Sequence, residues 1–216
     1  MDEIYAGLAA PFFPTQISFR VGSMNSAKTK GMALAYVNAR DVLQRLNDVV
    51  GPSKWQRRYP WSDGKRIVCE IGINIDGEWI WKADGAGETD FEADKGAFSD
   101  AFKRAAVSWG VAEYLYHAPA KWYDIENKKF TKQADGQILN DFKTWELQYF
   151  GFRSKRQRDQ YITNIHRYWA KEDFTALRQE WDELDDDQRR GLWWAFTPSQ
   201  RADLTEMLKK TQEEVA

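Results

Sequence analysis

Eight consecutive residues, Gly22-Ser23-Met24-Asn25-Ser26-Ala27-Lys28-Thr29, come close to a phosphate-binding loop. The pattern Gly-x4-Gly-Lys-Ser/Thr cradles a nucleotide's phosphates in backbone amides, with the lysine reaching the outer phosphates. The match fails at Ala27, where a glycine lets the backbone wrap the anion and a β-carbon obstructs it. A companion segment, Ile71 to Asp76, is placed to end in a magnesium-binding aspartate, yet it alternates polar and apolar residues. The buried parallel sheet of a nucleotide-binding fold reads instead as a near-continuous apolar run. An ATP-driven recombinase built on this loop is therefore kept only as an alternative. Lys28 and Lys30 are expected to lie on a mobile basic loop that touches phosphates.

A second constellation is better suited to nucleic acid. Lys54-Trp55-Gln56-Arg57-Arg58-Tyr59-Pro60-Trp61 interleaves cations with aromatic rings, and Lys65-Arg66 continues the run. Cations hold a sugar–phosphate backbone and rings stack on bases, with no need for sequence readout. The same rings also suit the core of a twisted sheet, so the arginines carry more of the expectation than Trp55, Tyr59 or Trp61.

Charge distribution agrees. The chain is slightly acidic overall, at −2, but residues 20–66 carry a net +7 and residues 70–100 a net −7. A local excess of this size attracts phosphates whatever the total charge. Opposite signs in neighbouring segments also suit head-to-tail self-association. The single Cys69 excludes an intrachain disulfide and a cysteine-rich zinc site, and His117 and His166 lack metal-ligand spacing. No nucleophile–base arrangement stands out, so neither an enzyme nor a cofactor is expected. The start, MDEIYAGLAAPFFP, lacks the basic residues and apolar run of a secretory signal, and no stretch is long and apolar enough to span a bilayer. A cytoplasmic protein without membrane attachment is expected.

The elements that must position these residues follow from periodicity. Gln16–Val21 predicts a short strand, Gly22–Lys30 a polar loop, and Met32–Val50 a helix ended by Gly51-Pro52. Lys54–Trp61, Arg66–Ile75 and Glu78–Ala83 predict three strands joined by Asp63-Gly64 and Asp76-Gly77 turns. Gly85-Ala86-Gly87 is expected to break that sheet. A helix is expected from Ala93 to Tyr116, with Phe98, Phe102, Ala105, Trp109, Ala112 and Tyr116 on its buried stripe and Lys103 and Arg104 outside it. Lys121–Gly136 reads as loop. From Ser154 onward the pattern is helical, with starts at Ser154–Gln157, Phe174 and Thr197-Pro198, and an acidic cap at Asp185-Asp186-Asp187.

One motif is more specific. Asp100-Ala101-Phe102-Lys103-Arg104-Ala105-Ala106-Val107-Ser108-Trp109-Gly110 follows a meander and a Gly-x-Gly, with Gln16-Ile17-Ser18-Phe19-Arg20 upstream. Over residues 16–117 the chain resembles the annealing domain of the Rad fifty-two family, and most closely its phage, Sak-type members. The resemblance implies a single-strand annealing protein for recombination and repair, acting without ATP as a ring-like homo-oligomer. It implies an inner DNA groove using Arg20, Tyr36 at the start of the first long helix, Lys103 and Arg104. Val107 departs from the arginine of the eukaryotic members, and no lysines match their outer DNA site.

The expected architecture is α+β, an antiparallel β-meander packed on a long helix with a small all-helical C-terminal domain. Its expected divisions are an annealing domain at 1–132, a linker at 133–153 and a helical domain at 154–216. The expected DNA-contacting set is Arg20, Lys28, Lys30, Tyr36, Lys54, Arg57, Arg58, Lys65, Arg66, Lys103 and Arg104. The expected partners are single-stranded DNA, further copies of the chain, and a replication or recombination protein on the C-terminal helices. A scaffold or adaptor role is the remaining alternative.

Overall fold

A computed structural model describes residues 3–62, 66–87, 95–197, 199–204 and 206. The chain divides into two compact units, Met1–Arg20 with Leu34–His117, and Val21–Ala33 with Ala118–Ala216. Its sheets are antiparallel, so the α+β class holds.

In the first unit, helix α1 (Glu3–Ala9) is followed by strands β1 (Ile17–Met24) and β2 (Lys30–Val37), whose distal halves belong to the second unit. Helix α2 (Ala39–Val50) ends at Gly51, whose φ of 90° suits glycine. The helix predicted from Met32 thus starts seven residues later, and Met32–Val37 is strand. Tyr36 lies on β2, not at a helix start.

Strands β3 (Trp55–Ser62), β4 (Arg66–Ile75) and β5 (Glu78–Gly87) form the meander in that order. The Asp76-Gly77 turn has both residues at positive φ, as its type requires. The Asp63-Gly64 turn and Lys65 lie outside the described residues. Gly85, Ala86 and Gly87 do not break the sheet, because they pair with Val68, Ile67 and Arg66 along β4.

The alternation in β4 decides the packing. Ile67, Cys69, Ile71 and Ile73 are all buried on one face. Helix α3 (Lys95–Val107) packs on β4 and β5 through Ala101, Phe102, Ala105 and Ala106, all fully buried. Three alanines permit a close approach and Phe102 fills the space beside Trp55. The predicted long helix is shorter because the chain turns at Ser108–Ala112: Gly110 has φ 88° and Ala112 φ 59°. A β-carbon at Gly110 would lie 3.1 Å from the Tyr5 ring and 3.2 Å from Ala9. Phe98 and Tyr116, expected in the buried stripe, are exposed: Phe98 sits in the first turn of α3, ahead of the buried Ala101–Phe102 contact, and Tyr116 lies past the turn that ends the helix.

In the second unit, β2 pairs with β6 (Trp122–Glu126), which pairs with β7 (Lys129–Phe130). Helix α4 (Lys132–Tyr149) follows, capped by Thr131, whose hydroxyl accepts from the Ala134 amide. The stretch read as a loop, 121–136, therefore holds two strands and the start of an 18-residue helix. Helix α5 (Lys155–Ala170) is capped by Ser154, and α6 (Phe174–Asp182) by Asp173. Helix α7 (Asp186–Leu192) opens on a capping box between Asp185 and Gln188. Gln200 donates its backbone amide to the Thr197 hydroxyl, as the last predicted start requires, with Pro198 outside the described residues. Among the described residues, no helix is long and apolar enough to cross a membrane.

Phe102→Ala should lower unfolding free energy by about 3–5 kcal/mol in urea titrations, while Phe98→Ala should cost less than about 1 kcal/mol. Equal losses would mean that α3 is seated differently on the sheet.

Candidate nucleic-acid interface

The near phosphate loop is the tip of the β1–β2 hairpin. A strand follows it, where a nucleotide loop needs a helix. The amides nearest its lysine are also engaged: Asn25 Oδ1 accepts from Thr29 N at 2.9 Å and Lys30 N at 3.0 Å, and Lys28 N donates to Asn25 O at 2.9 Å. The supposed magnesium strand, β4, is antiparallel to both neighbours. The Gly22–Thr29 segment is therefore not built to wrap a nucleotide. Lys28 sits exposed at the tip with φ 54°, and Lys30 lies 3.9 Å from Asp124 on β6. Both belong to the second unit.

The other described candidates lie in the first unit. Tyr36 and Lys103 are brought together although they are far apart in sequence: the Lys103 ammonium lies 5.5 Å from the Tyr36 ring centroid. Asp100, one turn earlier, holds that ammonium at 3.7 Å. Arg57 lies on the same helix-bearing side of the sheet, opposite Ile71, with its guanidinium 4.7 Å from the buried Phe102 ring. Arg58, next in the strand, faces the other way as strand period demands. It pairs with Glu70 and lies 3.9 Å over Trp81, whose ring in turn covers Gly72. Arg57 and Arg58 are thus on opposite faces and cannot serve one strand on one surface.

Arg104 turns to β5, where its guanidinium meets Asp84 at 3.3 Å. Arg20 is exposed on β1, Lys54 is exposed just before β3, and Arg66 is exposed at the head of β4. Solvent-accessible ion pairs of this kind contribute about 0–1 kcal/mol, so Asp100 and Asp84 hold Lys103 and Arg104 only weakly.

The aromatic rings divide. Trp55 donates its indole N–H to Asn47 of α2 at 2.8 Å, and Tyr59 meets the Phe98 ring edge-on at 4.9 Å. Both hold the sheet to helices. Trp61 remains exposed, beyond an irregularity in β3 between Arg58 and Trp61. Two cations have roles not read from the sequence. Lys82 donates to the Ser108 carbonyl at 2.8 Å and lies 4.4 Å over Trp109. Arg45, counted in the basic excess, is buried and donates to the carbonyls of Gly7, Leu8, Ala10 and Pro11. It closes the α1 end onto α2 and is out of reach of phosphate. Strand parity gives Lys82 away as helix-facing; nothing local marks Arg45.

Among the described residues, no group of three or more His, Cys, Asp or Glu side chains is placed to hold a metal ion. The arrangement is an antiparallel meander backed by one helix, with cations and a tyrosine converging on that helix. Lys103, Arg57 and Tyr36 thus lie on the helix-bearing side of the meander. Residues 1–134 match the Rad52/22 family of double-strand break repair proteins, and the chain belongs to that family. It is similar to the single-stranded DNA-binding protein DdrA of Deinococcus radiodurans, with 32% identity over 60% of this chain and 62% of the relative. It is also similar to the protein of the same name from Deinococcus deserti, with 31% identity over 56% of this chain and 61% of the relative. The matched segments thus span about three-fifths of either relative's length.

Burial pushes the Cys69 thiol up to about 11, behind the wall of β4 and α3. Native protein near pH 8 should therefore react with a thiol reagent about a hundred-fold slower than unfolded protein. Because the folded value is raised, stability should hold below the unfolded thiol's range and fall as pH rises through about 11. Rapid native labelling would place Cys69 at the surface.

Proposed function

We propose that this protein binds single-stranded DNA by its backbone and pairs it with a complementary strand, without nucleotide hydrolysis or covalent chemistry. The observation that carries this reading is the convergence of Lys103 and Tyr36 on the helix-bearing side of the meander. Membership of a double-strand break repair family supports it, as do two relatives that bear the name single-stranded DNA-binding protein.

In the first unit the strand would run over Arg20, Tyr36, Arg57, Lys103 and Arg104, with Lys54, Lys65 and Arg66 as further phosphate contacts; Lys28 and Lys30, on the hairpin tip of the second unit, would touch phosphates as a separate set. Arg58 would serve DNA only from the opposite face. Each cation adds a modest, salt-dependent term. Several copies along one strand multiply those terms, which is why a ring-like homo-oligomer, expected from the family resemblance, suits the task. With the bases left outward, pairing with a second strand supplies both selectivity and driving force.

In this reading the annealing unit is residues 1–132, residues 133–153 lead out of it, and residues 154–216 form an attached helical domain. The protein acts in the cytoplasm, of a bacterial host if it is phage-encoded. A replication or recombination protein remains a proposed partner for the helical part. That expectation rests on the aromatic-rich helices, yet two of their rings, Trp181 and Phe196, are buried against each other, and Trp181 also meets Trp193.

The test is annealing of complementary oligonucleotides, followed by fluorescence without ATP. Lys103→Ala with Arg104→Ala should slow annealing at least about ten-fold and lower the salt slope of binding by roughly 1.4. Unchanged annealing would remove the proposed surface. ATP hydrolysis that disappears in Lys28→Ala would instead revive a nucleotide-driven mechanism.

A further inference from the structure

The ion pairs of the helical C-terminal part leave one surface uncompensated. On α6 and α7 the arginines take the acids: Arg178 and Arg189 meet Asp182, Arg189 also meets Asp186, and Arg190 meets Asp187. On α5, Asp159 takes Lys155 at 4.0 Å and Arg158 at 3.1 Å. Arg153 and Arg156 are exposed, and neither has a carboxylate within ion-pair distance among the described residues. Arg156, Gln160, Thr163 and Arg167 recur at helical spacing and are all exposed, so they share one solvent face of α5.

Beside this face lies an open cleft of about 460 Å³, lined by Ser154, Arg156, Gln157, Gln160, Tyr161 and Glu180. Its lining holds the Tyr161 ring, the Arg156 guanidinium, a carboxylate held by Asn164 at 2.8 Å, and two side-chain amides that each keep one end unused, Gln157 accepting from the Arg153 amide and Gln160 donating to Asn164. An unpaired nucleobase has a flat face for the ring and donor and acceptor edges for the amides and carboxylate. Its phosphates fall to Arg156 and its neighbours. A duplex has no free base to insert, and an acidic peptide would bring carboxylates against Glu180 in the cleft wall.

We infer that α5 and the residues leading into it carry a second single-stranded nucleic-acid site, in which Arg153, Arg156 and Arg167 hold phosphates, Lys155 exchanges its distant Asp159 partner for a further phosphate, and an unpaired base enters the cleft beside Tyr161. It lies outside residues 1–134, the segment that matches the family. It does not depend on the surface formed by Tyr36 and Lys103.

The experiment uses the full chain and an oligothymidylate carrying 5-iodouracil. Photocrosslinking should mark the peptide containing Tyr161, and Lys103→Ala should leave that crosslink in place. The triple change Arg153→Glu, Lys155→Glu, Arg156→Glu should abolish the crosslink and lower the salt slope of binding by about 2, at roughly 0.7 per lost contact. Arg156→Gln alone should weaken the crosslink several-fold, and circular dichroism should show both variants folded. No crosslink within residues 153–167, or an unchanged slope in the triple variant, would overturn the assignment. So would retention of polyglutamate by this face in the absence of any DNA crosslink, which would assign it to an acidic protein.

Discussion

The first unit depends on one interface: the apolar face of β4 against the alanine-rich side of α3. Ile71 and Ile73 are fully buried there, as are Ala101, Phe102, Ala105 and Ala106. A close fit of this kind tolerates neither a bulkier helix nor a slipped strand, since a one-residue slip would turn every isoleucine to solvent. Two polar ties lock the register, the Trp109 indole N–H to the Ile71 carbonyl at 3.1 Å and Lys82 to the Ser108 carbonyl. With α3 held at this angle, Lys103 meets Tyr36, Arg57 covers Phe102, and Arg104 reaches Asp84. The eleven-residue motif is thus mostly a packing motif, with two cations riding on its outer side.

Local charge is a weaker guide than local packing. Of the basic residues between 20 and 66, Arg45 is consumed by four backbone carbonyls and Arg58 by Glu70 and Trp81. Arg20, Lys28 and Lys54 are exposed, and Arg57 leans on a ring. A surface that holds DNA reversibly suits this mixture. Carboxylate neighbours at Lys103 and Arg104 keep the side chains in place, and in the proposed reading a phosphate would exchange with them at small net cost.

The parts legible in the sequence were those set by local rules. Strand β4 alternates over its whole length, Asp76-Gly77 supplies two positive-φ residues, and Ser154 and Asp185 cap their helices with partners three residues on. Strand β2 was not legible because Ala33–Tyr36 are half-buried on both faces, which erases the two-residue period and leaves a false helical one. Helix α4 was masked because only Ala134, Ile138, Phe142 and Glu146 are buried, a stripe one residue wide in a polar segment containing Gly136. For the candidate surface, Lys103 and Arg104 were identifiable as lying outside the buried stripe. Their partners Tyr36 and Asp84 are tertiary neighbours that no spacing reveals. The opposite facing of Arg57 and Arg58, by contrast, follows from strand parity alone.

The central claim is that the protein grips phosphates and leaves bases free. It is tested most directly by probing one bound single strand two ways, permanganate for exposed thymines and phosphate-ethylation interference for backbone contacts. The account predicts thymines as reactive as in free DNA, apart from any base held by α5, together with strong interference at successive phosphates. Thymines protected throughout, with ethylated phosphates tolerated, would contradict it.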